Sequence, residues 1–361
     1  MAAITLAVAA LIQIGEIMFT PSLSFLHKIH FTLLLVVATL LACFTLGTVS
    51  VAGEGSGASA TSEMQTNKRL AYIVSDLRIP FWDIMHRGIN SSAQGLGYDV
   101  VTYSAENSAK SELEFVAKAI REKVSGIIVS PTNSSACVTI LKLAKAAGVP
   151  VVISDIGTDG GDYVSYISSD NLDGAYKIGN VLVKRLQKLG WDDGRVGIVA
   201  IPQKRANGQA RTAGFMRAMR EAGVKGAGIK QQVDFSYQET YGLSTEIIKS
   251  TPDLRAIWLQ GSDRFQGALD AIADAGKKDH VLLITFDAEP VFLDLIPKGV
   301  LVGSAMQQPY LMGQEAVIAM DRHLNGKAVE KDRQLPILAI STENIEEMLP
   351  VIKRNVLGIE E

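Results

Sequence analysis

The chain has 361 residues, of which 47% are apolar and 20% charged, and its formal net charge is −3. That balance supplies a core for one large domain or two ordinary ones and excludes a chain disordered throughout. It also excludes the concentrated basic face of a nucleic-acid binder: the strongest basic cluster, QKRANGQAR at 203–211, is short and broken by neutral residues.

The first 17 residues hold Glu16 and no basic residue, so translation is expected to start at Met18 rather than Met1. An unbroken apolar run follows at 31–51, flanked by Lys28, His27 and His30, and small residues stand at Ser50 and Ala52. The composition then turns Gly/Ser-rich. These features describe an export signal over 1–52 and a flexible linker over 53–67, which places the working chain outside the cytoplasm. The run is also long enough to span a bilayer, so an uncleaved anchor is the main rival, and a lipidated start at Cys43 the weaker one. Removal of the leader leaves Cys137 as the one thiol, read as a buried small hydrophobe within a helix.

From Lys68 on, strand-like and helix-like runs alternate. Strands are expected at 70–74, 99–103, 126–130, 150–154, 195–201, 228–233, 256–260, 281–286 and 300–305. Several are continuously apolar, which marks strands buried on both faces. The intervening helices stop at Gly97, Gly148, Gly223 and Gly276, the left-handed stop that only glycine makes cheaply. The pattern is an α/β fold with parallel sheets. So many strands need either a closed barrel or two doubly wound sheets. The hydrophilic stretch at 155–171, near the middle of the mature chain, favours two sheets with a crossing there.

In open parallel sheets ligands bind beyond the carboxyl ends of the strands. The residues there include SDLRIPFW after the first strand, Asp155 after the fourth, PQKRANGQAR after the fifth and Asp234, Phe235 and Tyr237 after the sixth. Ser262, Asp263, Asp287, Glu289, Gln307 and Gln308 follow the later ones. No His or Cys falls in this set, so no metal site is expected. The chain shows neither a phosphate-cradling loop in the required context nor a nucleophile elbow, and no cofactor or catalysis is expected. Asp155 and Asp287 as a hydrolytic pair is the minority reading. A hydroxylated ring wants flat aromatics on its faces and planar carboxylate, amide and guanidinium groups in its plane. Phe81, Trp82, Phe235, Asp155, Arg211, Asp287 and Gln307 meet that demand. Pro80 is read as ending the strand and fixing a turn from which the two aromatics face a cleft.

In order and spacing, IPFWDIMHRGINSSAQGLGYDV, GIIVSPTNSSA, AKAAGVPVVISD, YISSDNLDGAYKIGNVL, ARTAGF, DFSYQETYGLSTEIIKSTPDLRAIWLQ, GALDAIADAGKKDHVLLITFDA and GSAMQQPYLMGQEAV resemble the periplasmic sugar-binding proteins of ABC importers, ribose/galactose type, the type I periplasmic binding proteins. The resemblance implies two Rossmann-like doubly wound lobes joined by a three-crossing hinge, with crossings near Ser169–Asp170, Gln307 and Pro336. It implies an N-terminal lobe of 68–169 plus 308–336 and a C-terminal lobe of 170–307 plus 337–345; the tail of 346–361 extends beyond the family core and reads as a short helix plus tail. Phe81 and Trp82 would stack on one side of a sugar or polyol and Phe235 on the other, with Asp155, Arg211, Asp287 and Gln307 bonding its hydroxyls. The implied role is capture by lobe closure, as a monomer, for an ABC permease; the alternative is ligand sensing for a membrane sensor kinase. Three positions depart from the ribose pattern: Ile79 replaces an Asn, Ile156 an Arg, and Gly261–Ser262 an Asn-Asp pair. Those losses point away from ribose, toward a less hydroxylated, larger or partly apolar ligand.

Overall fold

The structure is a computed structural model and describes residues 68–359. The leader, the linker and the choice of start codon lie outside the described residues.

The first sheet is built from β1 (Arg69–Val74), β2 (Asp99–Ser104), β3 (Gly126–Ser130), β4 (Val151–Ser154), β5 (Ser165–Ser169) and β11 (Asp332–Leu335), in the order β11-β5-β4-β3-β1-β2. All of its pairings are parallel. The second holds β6 (Arg195–Ala200), β7 (Lys225–Gln231), β8 (Leu254–Leu259), β9 (Leu282–Phe286), β10 (Gly303–Met306) and β12 (Leu338–Ser341), in the order β12-β10-β9-β8-β6-β7. Its edge strand β12 runs antiparallel, against β10, and its other pairings are parallel. Two open sheets, and no closed barrel, organise the described residues. In each sheet the order reverses beside the first strand, at β1 and at β6, which opens a crevice at the carboxyl ends.

Helices cover both faces of each sheet. On the first, α1 (Pro80–Gly95) and α9 (Pro309–Leu324) enclose a core with Tyr72, Ile128 and Val152, while α2 (Ala109–Arg121) and α3 (Ser134–Ala146) enclose one with Ile73, Ile127 and Ile153. On the second, α4 (Asn171–Leu189) and α5 (Ala206–Glu221) pack on Ile198, Trp258 and Ile284. Its other face takes α6 (Tyr237–Ser250), α7 (Phe265–Asp274) and the short α8 (Phe292–Leu295), over Val199, Ile257 and Leu283. Cys137 is fully buried in the first lobe. Helix pairs touch backbone to backbone where glycine stands at the contact. A Cβ on Gly88 of α1 would lie 2.1 Å from the Tyr310 carbonyl of α9, and one on Gly214 of α5 would lie 2.1 Å from the Leu172 carbonyl of α4.

Helix starts follow local chemistry. Ser108, Asn133, Asp170 and Ser236 each accept a backbone N–H in the first turn of the helix they precede. The four glycine stops at 97, 148, 223 and 276 have φ of 75°, 68°, 72° and 67°. The chain passes between the sheets three times: between β5 and α4, between β10 and α9, and between β11 and β12.

Several expectations need correction. The stretch 155–171 is not simply a crossing, because residues 165–169 form β5, with Ser165, Ile167, Ser168 and Ser169 buried in the sheet. Serine-rich and preceded by glycines, it lacks the apolar run that marks a buried strand. β7 lies three residues earlier at its start than the apolar pattern placed it, because it is an exposed edge strand with little to bury. The aromatics at 81–82 do not sit in a turn. Pro80 opens α1 as its first residue, where its missing N–H costs nothing. Beyond β12, α10 (Ile345–Val351) runs directly into a π-helical turn at Ile352–Leu357, and both pack on the second core.

Candidate functional site

One cavity, open at its mouth, collects residues from just beyond the strand ends of both sheets. Ile79, Phe81 and Trp82 come from the β1–α1 junction and Asp155 from the end of β4. From the other lobe come Ile201, Arg205, Asn207 and Arg211 after β6, Phe235 after β7, Gly261 and Asp263 after β8, Asp287 after β9 and Gln307 after β10. All seven residues singled out in the sequence line it.

Asp155 and Asp287 occupy matching places in the two lobes. Each follows the fourth strand of its lobe in chain order and adopts a left-handed backbone, with φ of 67° and 66°. Each donates its N–H to a neighbouring strand, Asp155 to the Ile167 carbonyl at 2.9 Å and Asp287 to the Ala305 carbonyl at 2.8 Å. Each carbonyl in turn accepts a side-chain hydroxyl, from Tyr166 and from Ser304. Phe235, at φ 57°, is also left-handed. That conformation costs non-glycine residues free energy, and such strain concentrates where side chains must be aimed.

The polar groups form one network with open ends. Arg211, 3% exposed, donates from Nε to Asn171 Oδ1 and from Nη1 to the Gln260 carbonyl, both at 2.8 Å, and stacks 3.9 Å above the Phe286 ring. Its Nη1 lies 3.5 Å from Asp287 Oδ2, and Gln307 Nε2 donates to Asp287 Oδ1 at 2.7 Å. Asn207 Nδ2 reaches Asp155 Oδ2 at 3.4 Å. Two buried acceptors of this network have no partner among the described residues, Asp155 Oδ1 and Gln307 Oε1. Asp263 Oδ2 has no hydrogen bond there either, only Arg264 at 3.4 Å. Burial pushes the Asp155 carboxyl up to about 7; Arg211 opposes the rise and Asp287 adds to it. Burial raises Asp263 to about 6 and Asp287 above the usual carboxylate range, the latter opposed by Arg211 and Gln307. Deeply buried acceptors left open are costly, so this arrangement expects hydroxyl or amine donors from a guest.

The aromatic walls complete the cavity. Phe81 and Trp82 meet edge to face with ring centroids 4.9 Å apart, so adjacent rings both reach the cleft from the first turn of a helix. Of the three departures, Ile79 and Gly261 line the cavity, whereas Ile156 is fully buried in the first core. Reading strand ends brought Arg205, Asn207 and Asp263 into view without singling them out; Ile201 carries no signal, since an apolar residue at a strand end reads as core. Two roomier surface grooves exist, one beside Glu315, Arg322 and Arg333 and one beside Lys145, Tyr163 and His323. Neither gathers aromatic rings and unpartnered buried acceptors together.

A family model described as a periplasmic binding protein domain matches residues 70–328. The chain belongs to the periplasmic binding protein family. This periplasmic binding protein is 28% identical over 289 residues to the ribose import binding protein of Haemophilus influenzae, covering 79% of this chain and 95% of that one. It is 30% identical over 265 residues to the ribose import binding protein of Bacillus subtilis, covering 73% and 84%. Among solved structures, an Agrobacterium radiobacter carbohydrate transporter solute binding protein in complex with D-arabinose superposes with a TM-score of 0.74 at 22% identity, covering 81% of this chain and 99% of that one. The Caulobacter myo-inositol binding protein bound to myo-inositol does so at 0.72 and 24%, covering 78% and 96%. Both share the fold of this periplasmic binding protein. Among the described residues no helix is long and apolar enough to cross a membrane.

Proposed function

We propose that this protein is an exported solute-binding protein that captures a sugar or polyol between its lobes and delivers it to an ABC permease. The observation that carries this reading is the pair of unpartnered buried acceptors, Asp155 Oδ1 and Gln307 Oε1, in a cavity walled by Phe81, Trp82 and Phe235. A polyol ring supplies hydroxyl donors around its edge and C–H faces for the rings, and it satisfies both demands together. The names of the curated relatives, which include ribose, D-allose and D-apiose binding proteins, support the same ligand class. Ile79 and Ile201 add an apolar wall, which favours a guest with fewer hydroxyls than ribose presents to the ribose pattern, such as a deoxy sugar. The site holds its guest without altering it: Asp155 and Asp287 are engaged as hydrogen-bond acceptors.

Thermal melting of residues 68–361 against pentoses, hexoses, deoxy sugars and inositols tests this. A true ligand at about 100 times its dissociation constant adds about 2.7 kcal/mol of stability. Asp155→Ala and Asp287→Ala should each abolish most of that gain. A panel in which no member raises the melting point would sink the assigned ligand class.

A further inference from the structure

Arg205 immediately precedes α5 in the second lobe, yet both hydrogen bonds of its side chain end on the first. Its Nε donates to the Thr132 carbonyl, beyond β3, and its Nη2 to Asn107 Oδ1, beyond β2, each at 3.3 Å. Its guanidinium lies 5.5 Å from the centroid of the Phe235 ring, and the residue is only 7% exposed. Both acceptors are held in place by other buried groups. Thr132 donates its N–H and hydroxyl to Glu112, a fully buried carboxylate, at 2.8 and 3.2 Å. Asn107 sits at φ 61°, its N–H bonded to the Ser75 carbonyl, and its Oδ1 accepts the Ser75 hydroxyl at 2.8 Å. So the first lobe presents a preformed socket and the second lobe presents the guanidinium that fills it. Burying Glu112 to orient one loop of the cleft makes physical sense if that loop's carbonyl must meet a partner.

We propose that Arg205 is a further determinant of binding, a latch across the cleft that sets affinity by setting how much of the ligand-free protein is already closed. The proposal rests on capture by lobe closure as argued above. The two bonds are long and end on neutral acceptors, so the latch is weak and reversible, as a protein that must also release its guest requires. A ligand that binds only the closed form sees its affinity scaled by the closed fraction. Losing the latch therefore weakens every ligand by one common factor, whereas losing a direct ligand contact weakens ligands selectively.

The test uses spin labels at Lys142→Cys on α3 and Lys249→Cys on α6, both exposed, with Cys137 too buried to react. Distances are measured by pulsed electron resonance without ligand. The wild-type distribution should contain a short, closed component, which Arg205→Ala should largely lose. Asn107→Gly should shift it in the same direction; glycine is at ease at that left-handed φ, so this variant keeps the test alive should Arg205→Ala fail to fold. Arg205→Lys, which keeps the charge but not the fork, should fall between. Dissociation constants of all ligands found in the panel should rise by the same factor in Asn107→Gly, whose altered residue does not line the cavity as Arg205 does, on the order of tenfold. A wild-type distribution with no closed component, or folded Arg205→Ala and Asn107→Gly proteins that keep the wild-type distribution, would overturn the latch. The distance measurement needs no ligand: a silent sugar panel leaves it decisive, and a failed latch leaves sugar binding standing.

Discussion

Asp155 shows how little of a residue's role lies in its letter. In the sequence it is a carboxylate after an apolar run; in the fold it is a strained, buried group with one oxygen left open. Its proton follows from that burial. In the folded chain it titrates near 7, against 3.8 for an ordinary aspartate, so between those values the folded state holds a proton that the unfolded state has released. The stabilisation this gives is full at low pH and lost as pH rises through the folded value. Asp155→Asn keeps the shape, tolerates the left-handed backbone and does not titrate. The melting temperature of ligand-free Asp155→Asn protein, minus that of wild type, should therefore increase from about pH 5 to about pH 8. A difference that stays flat in calorimetry would show that Asp155 ionises normally.

At the scale of elements, apolar runs and glycine stops read well because each is decided locally, by period and by φ. β5, β11 and β12 escaped because their neighbours, not their composition, make them strands: β11 pairs with β5, from Asp332–Tyr166 to Leu335–Ser169, although the two lie far apart in the chain. The C-terminal segment is the clearest case. Ile345, Ile352, Val356 and Leu357 join the second core together with Ile84 of α1. Arg87 of α1 donates to the Leu357 and Gly358 carbonyls at 2.8 and 2.9 Å, closing the helix end. Asn355 donates to Gln308, and Gln308 to the Pro336 carbonyl, both at 2.8 Å, so two of the passes between the sheets are tied to this segment. Each of those four buried side chains is worth about 1.5–3 kcal/mol. Deleting 344–361, which removes these four side chains and the Arg87 acceptors together, should accordingly lower stability more than Arg87→Ala, which removes two charge-assisted bonds at about 1.5–3 kcal/mol each. Denaturant titration measures both; a truncated chain as stable as the whole one would show that the segment merely decorates the surface.

For the whole molecule, three thin passes between two well-packed sheets are the places where rigid lobes would rotate. On the capture by lobe closure proposed above, a ligand found in the melting panel should reduce the radius of gyration in small-angle scattering, because closure would bring acceptors of both lobes to one guest. The contraction should be larger for Arg205→Ala than for wild type, since the variant starts more open. A ligand that binds tightly while the scattering profile stays constant would mean that the site is preformed and the passes are stiff.

Much of the strand and helix order and the choice of residues beyond strand ends were legible in the linear chain, because burial period, glycine stops and parallel-sheet topology are properties of short segments. Phe81, Trp82, Asp155, Arg211, Phe235, Asp287 and Gln307 could be picked for that reason, and all of them line the cavity. Which oxygens remain open, that Arg205 reaches Thr132 and Asn107, and that the C-terminal segment ties α1 to the second core could not be read there. Each depends on groups far apart in the chain meeting at hydrogen-bond distance, and no local pattern records such a meeting.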